Sequence, residues 1–217
     1  MKVSKETLEQ LKNFATINTN LMVKEGNQLA TVANSMNILA KANVSETFPR
    51  EFAIYDLNQF LALLTMSDDT ELSFGDESVT VNMGAGSFEY YYAEPSVIKA
   101  APDREIEVEA KYQTTLDGDS IIKIQRAASA ISAPFLSIVS RDGSVSVNVG
   151  DPNTPKSNSF STMIGSSDVE FDARLSIESL KVIPDTYSVT VGTKPVLMFK
   201  NDKRTYWLAL DPSSQTS

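Results

Sequence analysis

Cysteine and histidine are both absent from all 217 residues of this chain. Without cysteine there are no disulfides and no thiolate metal ligands. Without histidine, the common zinc sets, the Ser-His-Asp triad and the Cys-His dyad cannot be assembled within the chain. Also missing is any run near the roughly 20 apolar residues that a bilayer crossing requires. The start, Met1-Lys2-Val3-Ser4-Lys5, leads into an amphipathic helix pattern and not into an apolar signal core. These absences predict a soluble, unprocessed, cytosolic protein with no membrane association, no metal and no cofactor. Positive charge is scarce as well, with 19 Lys and Arg against 28 Asp and Glu and a net charge of -9. At 41% hydrophobic the chain can bury one large core, or two cores in domains of about 100 residues each.

With histidine and cysteine gone, carboxylates are the remaining route to catalysis. The acid clusters are Asp68-Asp69, Asp117-Gly118-Asp119 and Glu105-Ile106-Glu107-Val108-Glu109. Asp68-Asp69 follow a helix pattern and precede a strand pattern, which suits a solvated turn. Asp119 falls where an N-cap satisfies free helix amides. The Glu105, Glu107 and Glu109 alternation puts three acids on one face of a half-exposed strand, with Ile106 and Val108 on the other. Gly84-Ala85-Gly86-Ser87 lacks the lysine of a phosphate loop and sits between two strand runs, so it reads as a hairpin. No enzyme is predicted.

The chain repeats one order of elements. In the first half a helix over 4–14, with Leu8, Leu11 and Phe14 at helical spacing and Ser4 as its cap, precedes strand runs at 20–24, 28–33 and 36–44. A second helix over 56–64 follows, then strands at 71–74, 79–83 and 87–93. In the second half a strand at 105–113 and a helix over 119–131 precede strands at 135–140 and 144–149 and a Pro/Asn/Ser-rich loop at 151–159. A short helix near 176–181 and strands at 187–191, 196–200 and 205–210 complete it. Tyr90-Tyr91-Tyr92-Ala93-Glu94-Pro95 matches Tyr206-Trp207-Leu208-Ala209-Leu210-Asp211-Pro212 in kind, apart from one inserted residue. The expected organisation is a domain over 1–93, a connector over 94–104 and a second domain over 105–217. The expected class is α+β, with each domain an antiparallel sheet covered on one side by two helices.

Three stretches carry a family resemblance: Met1-Lys2-Val3-Ser4-Lys5-Glu6-Thr7, Leu11-Lys12-Asn13-Phe14-Ala15-Thr16-Ile17-Asn18, and Ala53-Ile54-Tyr55-Asp56-Leu57-Asn58 with Phe60-Leu61. They resemble the DNA polymerase sliding clamps of T-even-type bacteriophages. The pair Pro195-Val196-Leu197-Met198-Phe199 and Tyr206-Trp207-Leu208-Ala209 is similar to the last hairpin of the eukaryotic clamp, proliferating cell nuclear antigen. The resemblance implies a homotrimeric ring around duplex DNA, helices lining the hole, acting in the cytoplasm of an infected bacterium. It also implies the replicative DNA polymerase and a clamp loader as partners.

A chain this acidic needs segregated charge to enclose DNA. Lys2, Lys5 and Lys12 flank or lie on the first helix, Lys123 and Arg126 share a face of the third, and Arg174 and Lys181 bracket the expected fourth; the resemblance implies that these face DNA. By position alone they read as ordinary solvated faces. The second helix offers Asn58 and Gln59 in place of cations. For partner peptides the resemblance implies an apolar pocket walled by Pro195 and Trp207, by Val97 and Ile98, and by Met36 and Ile38. Each of these six also suits plain core packing. Edge strands near 78–92 and 135–149 are the expected subunit contacts. The competing readings are a trimeric β-rich tail or baseplate protein and, with less support, a carboxylate hydrolase.

Overall fold

The computed structural model describes residues 1–84, 86–104 and 106–215, and these form two compact units, Met1–Asp103 and Arg104–Ser217. Ala85 of the predicted turn and Glu105 of the predicted strand lie outside the described residues.

The first unit runs α1 (Lys5–Ile17), β1 (Leu21–Val23), β2 (Gly26–Val32), β3 (Ile38–Phe48), β4 (Phe52–Ile54), α2 (Leu57–Leu64), β5 (Glu71–Phe74), β6 (Ser78–Asn82) and β7 (Ser87–Tyr91). A single 3-10 turn, Pro95–Val97, follows β7. β2 and β3 pair antiparallel, β1 pairs β4, and β5, β6 and β7 form a three-stranded antiparallel sheet in that order. The Met83 amide donates to the Gly86 carbonyl at 2.8 Å, closing the β6–β7 hairpin.

α1 is helical because its apolar side chains recur on one face, where Leu11, Phe14 and Ile17 are buried. Its start is fixed by the Ser4 hydroxyl, which accepts from the Thr7 amide at 3.2 Å. The buried face packs on α2 and β3. α2 starts the same way, with the Asp56 carboxylate accepting from the Asn58 and Gln59 amides.

A second carboxylate stands at the start of α1. Glu46 of β3 is 8% exposed and accepts from the Ser4 amide, the Thr7 hydroxyl and the Ser45 hydroxyl. Burial pushes its pKa up, but the hydrogen bonds from Thr7 and Ser4 outweigh that and hold it below the ordinary value. A carboxyl with a depressed folded pKa stabilises above its unfolded value of 4.5 and loses that contribution as pH falls through the folded value. Glu46→Gln is therefore expected to cost about 2 kcal/mol at pH 7. In urea melts the gap to wild type should narrow below pH 4.5; an equal gap at every pH would disprove the ionic account.

The second unit runs β8 (Ala110–Leu116), α3 (Gly118–Ala130), β9 (Phe135–Arg141), β10 (Ser144–Gly150), β11 (Phe160–Ser166), β12 (Phe171–Ser176), β13 (Tyr187–Gly192), β14 (Val196–Lys200) and β15 (Arg204–Ala209). Within the unit β15, β14, β13 and β8 lie side by side, and β11, β10, β9 and β12 form a second antiparallel sheet in that order. Val145, Val147 and Val149 point inward from β10, toward α3 with its buried Ile121, Ile124 and Ala128.

Four local expectations change. The helix expected near 176–181 is a single 3-10 turn, Ile177–Ser179. Only a few residues separate β12 from Pro184, and the residue before a proline is pushed away from helical geometry. The stretch is held otherwise: the Tyr187 hydroxyl donates to the Ile183 carbonyl at 2.8 Å. The N-cap of α3 is Asp117, whose carboxylate accepts from the Ser120 amide at 2.7 Å, and Asp119 lies in the first turn. The strand expected at 105–113 runs, among the described residues, over Ala110–Leu116: its partner β13 ends at Gly192, opposite Ala110, and past that point the Thr193 amide donates to the Glu109 carbonyl at 2.9 Å without extending the ladder. Finally, β4, β11 and β12 are strands where the sequence pattern predicts none.

Among the described residues no helix is long and apolar enough to cross a membrane, and no group of three or more acidic side chains is placed to hold a metal ion.

Candidate nucleic-acid and partner interfaces

The helix faces decide where cations can meet a polyanion. On α1 the exposed side chains Lys5, Glu9, Lys12 and Thr16 follow each other at spacings of four, three and four, forming one stripe. Glu9 sits between the two lysines, and with Glu6 the helix carries no net charge. α2 exposes Asn58 and Gln59 and has no ionic side chain. On α3 Asp119, Lys123 and Arg126 are exposed along one face, leaving one net positive charge. The Lys123 ammonium also stands 5.7 Å from the centroid of the Phe160 ring. The helices are thus close to neutral in a chain whose net charge is -9.

The remaining three predicted cations lie elsewhere. Lys2 precedes α1 and pairs with Asp69 at 3.3 Å, both side chains more than half exposed, a contact worth little in water. Arg174 corrects the expectation most clearly. It is on strand β12, with its side chain 14% exposed, bonded to Ser213 and Asp172 and packed 5.9 Å from the Phe135 ring centroid. A guanidinium committed to these partners is a structural tie, and the helix it was to bracket is absent. Lys181 is half-buried just past the 3-10 turn and takes part in further polar contacts.

The six predicted pocket residues divide by exposure. In the first unit Met36 is 63% and Val97 58% exposed, whereas Ile38 at 2% and Ile98 at 8% are core. Met36 sits in the turn between β2 and β3 with φ of 62°, and the Lys99 ammonium donates to the Asn34 carbonyl at 2.7 Å, setting Lys99 beside that turn. In the second unit Pro195 is exposed, while Trp207 is buried with its indole N–H donating to the Ile106 carbonyl at 3.0 Å. Ile38, Ile98 and Trp207 are therefore core residues of their own units, and Met36, Val97 and Pro195 are the exposed ones.

Strand edges give the third surface. The outer edge of β5 is covered by the chain start: Lys2 bridges Glu71, and Met1 and Leu72 exchange backbone hydrogen bonds at 2.6 and 2.8 Å. The outer edge of β12 is covered by Gln215, which exchanges bonds with Asp172 at 2.8 and 3.0 Å. Among the described residues no strand pairs with the outer edge of β7 or of β11. Exposed apolar side chains gather on these two strands, Phe88 at 40% and Tyr91 at 69% on β7 and Met163 at 75% on β11. The expected 135–149 edge is corrected, since β9 and β10 are both interior strands and β11 is the edge. The signal that could have found it was the alternation of Phe160, Thr162 and Ile164, which the polar Thr162 on the inner face and the apolar Met163 on the outer face disguise.

Comparison with known proteins follows the same lines. The family model described as DNA polymerase processivity factor matches residues 4–100. The sliding clamp of Vibrio phage KVP40 is 27% identical over 97% of this chain and 99% of its own length. That of Enterobacteria phage T4 is 28% identical over 99% of this chain and 98% of its own. Among solved structures, A. fulgidus PCNA bound to the C-terminal region of FEN-1 superposes with a TM-score of 0.72 at 15% identity, covering 99% of this chain and 98% of that one. The last likeness speaks to fold.

Proposed function

From a chain that belongs to the DNA polymerase processivity factors, the sliding clamps, we propose a ring of three copies that encircles duplex DNA and tethers the replicative polymerase without chemistry of its own. What supports this reading is the full-length similarity to phage clamps together with near-neutral helices. A ring that must slide is hindered by each phosphate it grips, since every such contact adds salt-dependent affinity. Lys5, Lys12, Lys123 and Arg126 are the exposed helical cations available for weak contact, and topology holds the ring in place. The acidic remainder discourages binding of nucleic acid outside the hole. Work of this kind belongs in the cytoplasm of the infected host, with a clamp loader opening the ring.

Ring closure is assigned to β7 of one copy pairing with β11 of the next, because these edges are open while β5 and β12 are covered. Residues 94–104 serve as connector between the two domains, and its exposed Val97 with Met36 is the docking surface for a polymerase tail peptide. Val97→Glu is expected to weaken binding of that peptide more than tenfold in a fluorescence anisotropy titration, while the melting temperature stays within the small range typical of surface changes. Unchanged binding would remove Val97 from the surface.

The reading as a whole is tested by primer extension with the cognate polymerase and loader. Long products are expected only when this protein is present, and labelled protein should stay on circular DNA until the circle is cut. Loss from intact circles and from cut ones at the same rate would overturn it.

A further inference from the structure

Residues 93–103 are tied to the rest of the first unit at three places. The Ala93 amide donates to the Ala53 carbonyl at 2.9 Å. Further on, Ile98 is buried and Lys99 bonds to Asn34. At the far end the Asp103 carboxylate pairs with the Lys24 ammonium, and the Asp103 carbonyl accepts from the Lys41 ammonium at 3.2 Å.

Lys41 is an unusual choice for this position. It lies in the middle of β3 and is 9% exposed. Burying an ammonium is unfavourable unless polar partners compensate, whereas an apolar side chain of similar length fills such a place without that cost. Here the ammonium donates to the end of a loop. The Lys24 to Asp103 pair is more exposed, with the carboxylate side chain 79% accessible, so salt screens it and Lys41 carries the tie.

Between Lys99 and Asp103 the connector consists of Ala100, Ala101 and Pro102. These residues line one wall of a partly open pocket of about 160 Å³, whose other walls are Met22, Ala30 and the polar residues Lys24, Glu25, Gln28 and Lys41. A pocket of this kind gives the three residues no close-packed layer to rest on at that side. Packing therefore does not position this span, and its height above the sheet depends on the polar tie at its end.

We propose that residues 98–103 form a compliant strap, latched at Asp103 by Lys41 and free to yield into the pocket that Ala100, Ala101 and Pro102 line. A partner pressing on Val97 then meets a surface that adjusts, a consequence that rests on the docking reading above; the latch does not.

Hydrogen exchange on the full-length protein separates these ideas. Lys41→Met keeps the apolar stem and removes the ammonium, and it is expected to speed exchange of the amides of residues 99–101 and 103 about tenfold while the β2 and β3 ladder amides keep their wild-type rates. Ala101→Leu fills the pocket and is expected to slow the same amides. Strap amides at wild-type rates in Lys41→Met, or a strap and ladder accelerated to the same extent, overturn the latch. Unaltered or faster exchange in Ala101→Leu overturns the role of the pocket. Both readouts are independent of peptide binding, so a failure of docking and a failure of the latch are told apart.

Discussion

Met163→Glu is expected to lower the light-scattering mass from about 71 kDa, three times 23.7 kDa, to that of a single 23.7 kDa chain. Met163 projects from β11 and is 75% exposed in the single chain, so the substitution leaves the fold of the unit intact. In the proposed ring the same side chain lies at a strand-to-strand contact with β7, which carries Glu89 and the exposed Tyr91. A carboxylate introduced there is desolvated beside an acid already present, and like charges placed across paired strands are destabilising. Circular dichroism should be unchanged, and the stimulation of primer extension should disappear with the mass. A variant that stays at about 71 kDa removes β11 from the contact.

Phe14→Ala is expected to have the largest effect on stability. Phe14 is fully buried on the face of α1 that meets α2 and β3. Removing a buried ring costs about 3–5 kcal/mol, a large share of the roughly 5–15 kcal/mol that holds a typical domain together. For a unit of this size each kcal/mol shifts the melting temperature by about 4–8 °C, so calorimetry should show a fall of at least about 12 °C. Trp207, the one tryptophan, lies in the second unit and reports that half separately. Its fluorescence should melt at the wild-type temperature if the units unfold independently, and should follow the calorimetric fall if they unfold as one. Phe14→Leu should recover more than half of the loss.

Strong periodicity made much of the fold readable. Leu11 and Phe14 mark α1, Ile121, Ile124 and Ala128 mark α3, and the valines of β10 alternate without interruption, so these elements lie near their expected places. Failures occurred where an element depends on a partner distant in sequence. The Glu105, Glu107 and Glu109 alternation looks like half of a strand, but the ladder with β13 stops at Ala110, and among the described residues beyond it only the Thr193 amide reaches over, to the Glu109 carbonyl. The apolar stretch around Leu180, Val182 and Ile183 has the hydrophobicity of a helix, yet Pro184 and two β-branched residues leave room for one turn. At the surfaces, residue type was a poor guide to accessibility. Arg174 and Trp207 carry the chemistry wanted of a DNA contact and a pocket wall, but both are engaged by neighbours from other strands or segments, Ser213 and Ile106 among them. Lys41 was overlooked for the complementary reason: nothing in the pattern of β3 announces that its lysine turns inward.

The two edges proposed to pair are unlike, one on β7 in the first unit and one on β11 in the second. When each copy offers a different edge to the neighbour on either side, every subunit is threaded around the circle in the same sense, and no two-fold axis lies in the plane of the ring. Such an assembly has a front and a back. Connector, β2–β3 turn and Val97 then recur three times on equivalent terms, all with the same polarity. A polymerase captured at any one of them faces the same way along the duplex, so orientation of the enzyme relative to the direction of synthesis is inherited from strand pairing alone.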